Sequence, residues 1–248
     1  MSNIFTVILY QPIYNLLVFF YNIVPGHDIG IAIIILTVVI KIILWPFAGK
    51  SLKSQKALQN IQPKIDELRK KYKDQKEKMT QEMMRLYKEE KVNPLSSCLP
   101  LLIQFPFLIA VFQVFRTGLS SDAGLNLLYP FVANPGHLNA VAFNFLDLSQ
   151  KNIYLAILAG LAQFWQAKMM MTKKPAVQSA GSKDENMMAS MNKQMVYIMP
   201  VVTIWIGFSL PSGLMLYWLV TTILMVGQQY LIFNRKNKEV KVGETIKQ

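Results

Sequence analysis

IGIAIIILTVVIKIILWPF, residues 29–47, decides the fold. A helix needs ~20 apolar residues to cross the hydrocarbon core of a bilayer. This run is about that long, and its only charge is Lys41. Asp28 before it suits a helix N-cap. Pro46, which lacks a backbone donor, marks the inner end of the span or a kink. A lysine at mid-helix costs ~2.5–3.5 kcal/mol on insertion scales. Two readings of Lys41 stand side by side. Its long stem can snorkel the amine to the inner headgroups. Alternatively the cation faces a water-filled cavity in the bundle interior. Thr37 and Trp45, at i−4 and i+4, are expected on its face.

Outward from this run, apolar and charged segments alternate. Residues 4–24 carry no charge but are interrupted by Gln11, Pro12, Asn15 and Asn22. A spanning helix and a helix lying in the outer interface both fit, and the aromatic and polar load favours the interface. Residues 50–92 hold two amphipathic stripes, Leu58/Ile61/Ile65/Leu68/Tyr72 and Met79/Met83/Leu86/Tyr87, separated at Lys73–Gln75. They predict an antiparallel helical hairpin. Asn93–Pro94 is a helix start. Further spans are predicted at about 95–116 (with Pro100 and Pro106 inside), 152–171, 194–210 and 214–233. Val196–Leu210 is short: 15 residues rise ~22 Å, against a core of ~30 Å. Either the bilayer thins there or the helix starts earlier, near Met191.

Charge sets the expected orientation. Of 26 Lys/Arg, 13 fall in 48–93, five in 168–193 and five in 235–248. Residues 117–150 have none. Basic residues gather in segments kept inside. The expectation is an all-α integral membrane protein with five transmembrane helices, a cytoplasmic hairpin at 50–92 and an N-terminal interfacial helix. The N-terminal side is expected outside and the C-terminus in the cytoplasm. Residues 1–28 form the interfacial helix and external loop, and 29–248 the core. Without a basic n-region or cleavage site, the mature chain is expected to begin close to Met1.

The net charge of +12 fits anionic lipid headgroups or ribosomal RNA as electrostatic partners. One cysteine, Cys98, precludes an intrachain disulfide, and His27 and His137 lack metal-ligand spacing. No nucleotide loop or nucleophile–base set is visible, so neither enzyme chemistry nor a cofactor is expected. Other polar side chains stand at membrane depth: Gln104 and Gln113, Gln163 and Gln166, Tyr217, Thr221 and Gln228. Singly they suit interhelical hydrogen bonds, and together they suit a half-hydrated groove. Methionines crowd the inner ends of the third and fourth spans, from Met169 to Met199. They fit either promiscuous apolar contacts or a soft packing seam.

Four stretches carry a family resemblance: QPKIDELRKKY (62–72), QEMMRLYKEEKVNPLSSCLPLLIQFP (81–106), YIMPVV (197–202) and LPSGLMLYWLVTTILMVGQQYLI (210–232). The sequence resembles the YidC/Oxa/Alb family of membrane insertases. The resemblance implies a hydrophilic groove open to the cytoplasm and to lipid, with a cation in the first core span. Nascent membrane proteins would be the substrates, with no nucleotide hydrolysed. Ribosomes and the signal-recognition machinery would deliver them through the hairpin and tail, alone or beside the Sec translocon. The matching groove cation is Lys41, where the family usually has arginine, so charge is kept while bidentate carboxylate pairing is lost. Thr37, Gln104, Gln163, Gln166 and Tyr217 would line the groove, with Trp218 near the substrate exit. Neither a large external domain before the first span nor a lipobox is expected from these residues. A polytopic transporter or channel is the alternative. It would need a polar route open on both sides, and the polar residues here skew inward.

Overall fold

The computed structural model describes residues 4–93, 99–118, 122–170 and 196–245. It is almost entirely helical. A π-helical turn, Thr6–Tyr10, leads into α1 (Gln11–Ile23). Then follow α2 (Ile29–Lys71), α3 (Lys76–Glu89) and α4 (Leu99–Gly118). One strand pair, β1 (Val141–Ala142) and β2 (Leu146–Asp147), is antiparallel, with Val141 opposite Asp147 and Ala142 opposite Leu146. The chain continues as α5 (Ile153–Met169), α6 (Val196–Gly207) and α7 (Ser212–Thr245). Among the described residues, three helices are long and apolar enough to cross a membrane: Thr6–Ile23, Ile29–Lys71 and Ser212–Phe233.

The chain divides into two compact units. The first comprises residues 1–45, 101–163 and 200–225, and the second 46–100, 164–199 and 226–248. The first unit holds the hydrophobic core. From the end of the π-helical turn through α1 the buried residues Tyr10, Ile13, Tyr14, Leu17, Val18 and Tyr21 recur at helical spacing. In α2 the same stripe runs through Ile29, Ala32, Ile33, Leu36 and Ile40. Close helix contact depends on small residues. A Cβ on Gly160 of α5 would lie 2.4 Å from Ile204 of α6, and one on Gly207 would lie 2.7 Å from Ala156.

The polar atoms of α1 are used along its length. Gln11 and Asn15 donate to the Leu127 carbonyl at 3.0 and 2.9 Å, and the Tyr129 N–H donates to Asn15 Oδ1 at 2.6 Å. Asn22 donates to the Ala133 carbonyl at 2.7 Å, and the Asn139 N–H to the Tyr21 hydroxyl at 3.1 Å. One side of α1 is thus tied to the irregular segment 127–139.

In the second unit α2 continues through Pro46 and Pro63 to Lys71. The expected end or kink at Pro46 does not divide it into a span and a separate soluble helix. Ser51, Leu52, Ile61 and Ile65 are buried there. A turn at Tyr72–Gln75 leads to α3, where Met79, Met83, Leu86 and Tyr87 are half-buried. Glu90, past the end of α3, returns to accept a hydrogen bond from Lys64. That bond and the Glu90 charge raise the Lys64 pKa above its usual value, with smaller help from Glu89 and Glu67.

Two predicted boundaries shift. Ser212 and Gly213, expected in a turn, already belong to α7, and their N–H groups donate to the Gln150 and Leu148 carbonyls at 2.8 and 3.0 Å. The helix also runs on past 233 to Thr245. The described part of α6 is Val196–Gly207, and the proposed earlier start near Met191 lies outside the described residues. So do Met171, Met187, Met188, Met191 and Met195 of the methionine cluster, and Cys98.

Candidate functional site

The site begins with α2. Asp28 caps it as predicted, its Oδ1 accepting from the Ile31 N–H at 3.0 Å. On the following turns Ile33, Thr37 and Lys41 fall four residues apart, so they form one row. Ile33 and Thr37 are fully buried, and Lys41 is 8% exposed. The Thr37 hydroxyl donates to the Ile33 carbonyl at 2.6 Å, a bond that satisfies the hydroxyl within its own helix. On the other side of the helix, Ile42 and Ile43 are 64% and 61% exposed. The cation is therefore turned inward and the isoleucines outward, the reverse of a water-soluble helix. At 8% exposure, most of the Lys41 side chain is enclosed. No hydrogen-bonding or ionic partner of Lys41 is found among the described residues. Trp45 does not share the buried row as expected: it is 43% exposed, because 3.6 residues per turn carries the row round the helix with each step of four.

Of the predicted residues, Gln104 and Tyr217 meet directly. Gln104 Nε2 on α4 donates to the Tyr217 hydroxyl on α7 at 2.8 Å. Tyr217 is 1% exposed, among the largest fully buried side chains, and Gln104 is half-buried. Such a bond suits a tyrosine whose ring packs in a core while its hydroxyl needs a partner. Trp218 follows it, half-buried and packed against the core. Thr222, one turn on, donates back to the Trp218 carbonyl at 2.8 Å. Gln163 on α5 is half-buried, and its Oε1 is enclosed with no hydrogen-bond partner among the described residues. These residues belong to the first unit. Gln166 is half-buried and belongs to the second unit.

Two polar residues with comparable claims went unread in the sequence. Asn15 was noted only as an interruption of an apolar run, yet it is 3% exposed and binds two loop residues. Gln229, in the second unit, is fully buried, and neither amide atom has a partner among the described residues. A buried unpaired amide atom costs ~1–3 kcal/mol. Its neighbour Gln228 fell on the expected polar face of α7; Gln229 lies ~100° away, where periodicity predicts packing.

The model of the family described as 60Kd inner membrane protein matches residues 19–239. A protein named Membrane protein insertase YidC from Fusobacterium nucleatum is 36% identical over 208 residues, covering 84% of this chain and 87% of that protein. One of the same name from Syntrophus aciditrophicus is 39% identical over 225 residues, 90% of this chain but 36% of the relative. Listeria monocytogenes has a Membrane protein insertase YidC 1 that is 36% identical, with 67% of its length covered. The chain thus spans about a third of some relatives and most of others. A family match over nearly all of the helical core, supported by a relative 36% identical over 84% of this chain, shows that this chain belongs to the 60Kd inner membrane protein family, the YidC/Oxa/Alb family its motifs resemble.

Proposed function

We propose that the protein is a membrane protein insertase of the bacterial inner or plasma membrane, which moves hydrophobic segments of nascent proteins from the cytoplasm into lipid. The observation that carries this reading is Lys41, a buried cation with no anionic partner among the described residues, on a helix apolar enough to span the membrane. A buried charge is costly unless paired. An unpaired one turned into the protein is suited to attract the acidic or polar flank of a passing chain. Thr37, Gln104, Gln163, Gln166 and Tyr217 are proposed to line the wet groove around it, with Trp218 toward the exit. The names of its relatives support this reading. The work is partitioning rather than bond-making, so the proposal includes no cofactor.

The topology goes with it. Five spans are proposed: the apolar part of α2, then α4, α5, α6 and the apolar part of α7. The hairpin of α2 and α3 and the C-terminal tail are cytoplasmic, and the N-terminal side is external. Although α1 is long enough to span, we assign it to the outer interface as a segment distinct from the 29–248 core. Its polar side bonds over about three turns to the irregular segment 127–139. Irregular backbone is not tolerated against lipid, so that segment, and the helix alongside it, belong at the membrane surface. The basic hairpin and tail are proposed to meet ribosomes, the signal-recognition machinery and anionic lipid, and the insertase to act alone or beside the Sec translocon.

The test is complementation in a strain depleted of its own insertase. Lys41→Ala is expected to abolish insertion of substrates with acidic translocated tails, while Lys41→Arg retains it. Full activity of the alanine variant would overturn the groove-cation reading. Ion conductance of the purified protein in liposomes without any inserting substrate would favour a channel instead.

A further inference from the structure

We propose that the β1–β2 hairpin is a lipid anchor, its tip residues Phe143 and Phe145 inserted into the outer leaflet beside the outer ends of α2 and α7. The proposal rests on the spanning topology given above.

The hairpin is fixed in depth by two helix starts. At one, the Phe143 N–H donates to Asp28 Oδ2, the carboxylate that also caps α2. The Phe143 ring lies so close to Gly30, in the first turn of α2, that a Cβ there would stand 2.9 Å from Cε2 and Cζ, and 2.6 Å from the Ala142 Cβ. At the other, Ser212 Oγ donates to the Asp147 carbonyl at 2.8 Å, and the Gly213 N–H to the Leu148 carbonyl at 3.0 Å. The strands therefore stand level with the first residues of two helices that are apolar from that point inward. That is the depth of the interface, where aromatic rings are favoured.

What the hairpin shows at that depth is apolar. Phe145 is 81% exposed and Phe143 36%, their rings 6.3 Å apart. Ile153 and Tyr154, at the start of α5, are 51% and 75% exposed. No lysine or arginine occurs in residues 117–150 to draw the tip into water. The turn is also strained in favour of this display. Phe143 and Asn144 have φ of 53° and 64°, the left-handed pair of a type I′ turn usually made by Asn-Gly. Phenylalanine gains nothing locally from that conformation, and such strain persists only where the surroundings fix it. The Asp28 bond and the Gly30 contact do so here. A second copy or a partner protein is the competing occupant, but the level of the tip beside two membrane helices favours lipid.

The experiment uses the whole chain with Cys98→Ser and Phe145→Cys, nitroxide-labelled, in vesicles of phosphatidylethanolamine and phosphatidylglycerol. Collision with oxygen, which concentrates in lipid, is compared with collision with a water-soluble nickel chelate. Asn134→Cys gives the aqueous reference and Leu158→Cys, on the exposed side of α5, the lipid reference. The expected result is oxygen accessibility above nickel accessibility at 145, between the two references and nearer Leu158. Nickel accessibility equal to that at 134 overturns the anchor, as does a label shielded from both reagents, which would indicate a protein neighbour. If the label at 158 is itself aqueous, the spanning topology has failed; if 158 reports lipid and 145 water, the anchor alone has failed.

Discussion

Removing the Asn15 side chain is expected to free α1 from the segment beside it. Asn15 donates to the Gln11 and Leu127 carbonyls at 2.8 and 2.9 Å and accepts from the Tyr129 N–H at 2.6 Å. In Asn15→Ala the Gln11 carbonyl keeps its helical partner, and Leu127 keeps Gln11 Nε2 at 3.0 Å. The Tyr129 N–H, partly buried, keeps nothing. A net hydrogen bond contributes about 0.5–1.5 kcal/mol, and an orphaned buried donor costs ~1–3 kcal/mol. The partial exposure of Tyr129 puts the sum near the low end, about 2 kcal/mol. Adding Gln11→Ala orphans the Leu127 carbonyl as well, so the double variant should lose more than the two single losses combined. Asn15→Asp keeps the acceptor for Tyr129 but sets a carboxylate against two carbonyls, and should fare no better than alanine. Reversible unfolding in mixed micelles reads the four variants, Gln11→Ala alone among them, against the parent protein. A loss below ~0.5 kcal/mol for Asn15→Ala, within the range of ordinary surface substitutions, together with an additive double variant, would refute the reasoning and remove the support for α1 at the outer interface.

Other consequences follow from the same geometry. Tyr217→Phe deprives Gln104 of its acceptor at 2.8 Å and should cost ~1–3 kcal/mol in the same unfolding assay; an unchanged midpoint would show that the bond adds nothing. Gly160→Val would press a side chain into Ile204 at 2.4 Å and the Pro200 carbonyl at 3.0 Å. Overpacking of that kind costs ~1–3 kcal/mol, and cysteine cross-linking between α5 and α6 should fall; equal cross-linking would exclude close packing there. The Lys64–Glu90 link has a defined pH dependence. Because the folded pKa of Lys64 is raised, the link is fully present below the ordinary lysine value of 10.5 and is lost as pH rises through the raised value. Distances between spin labels on α2 and α3 should broaden only in that alkaline range, and Glu90→Gln should remove the transition; broadening that persists in Glu90→Gln would assign it elsewhere.

Much of this architecture was legible because helical periodicity is local. The α1 stripe from Tyr10 to Tyr21 and the α2 stripe from Ile29 to Ile40 stand in the sequence at intervals of three and four. The inward position of Lys41 follows from the same row, since Ile33 and Thr37 precede it by whole steps of four. Boundaries were less legible. Pro46 was expected to mark an inner end or a kink, but a proline removes one hydrogen bond, and α2 continues through it, as it does through Pro63. Asn15 illustrates the harder case. Its partners lie 112 and 114 residues away, and no pattern around residue 15 announces them. The Gln104–Tyr217 bond spans 113 residues, and only the expectation of a shared polar lining brought the two together.

The central claim, that nascent chains pass beside the inward-facing row of α2, is tested most directly by photocrosslinking. A photoreactive residue at position 37, one turn from Lys41, is irradiated with ribosomes stalled on a membrane-protein substrate bearing an acidic flank. The same probe at Leu158, 49% exposed on α5, serves as the lipid-facing control. Adducts to the nascent chain that form at 37, exceed those at 158 and disappear in Lys41→Ala are the predicted result. Adducts of equal strength at the two positions, or none at 37 while the substrate still inserts, would contradict the account.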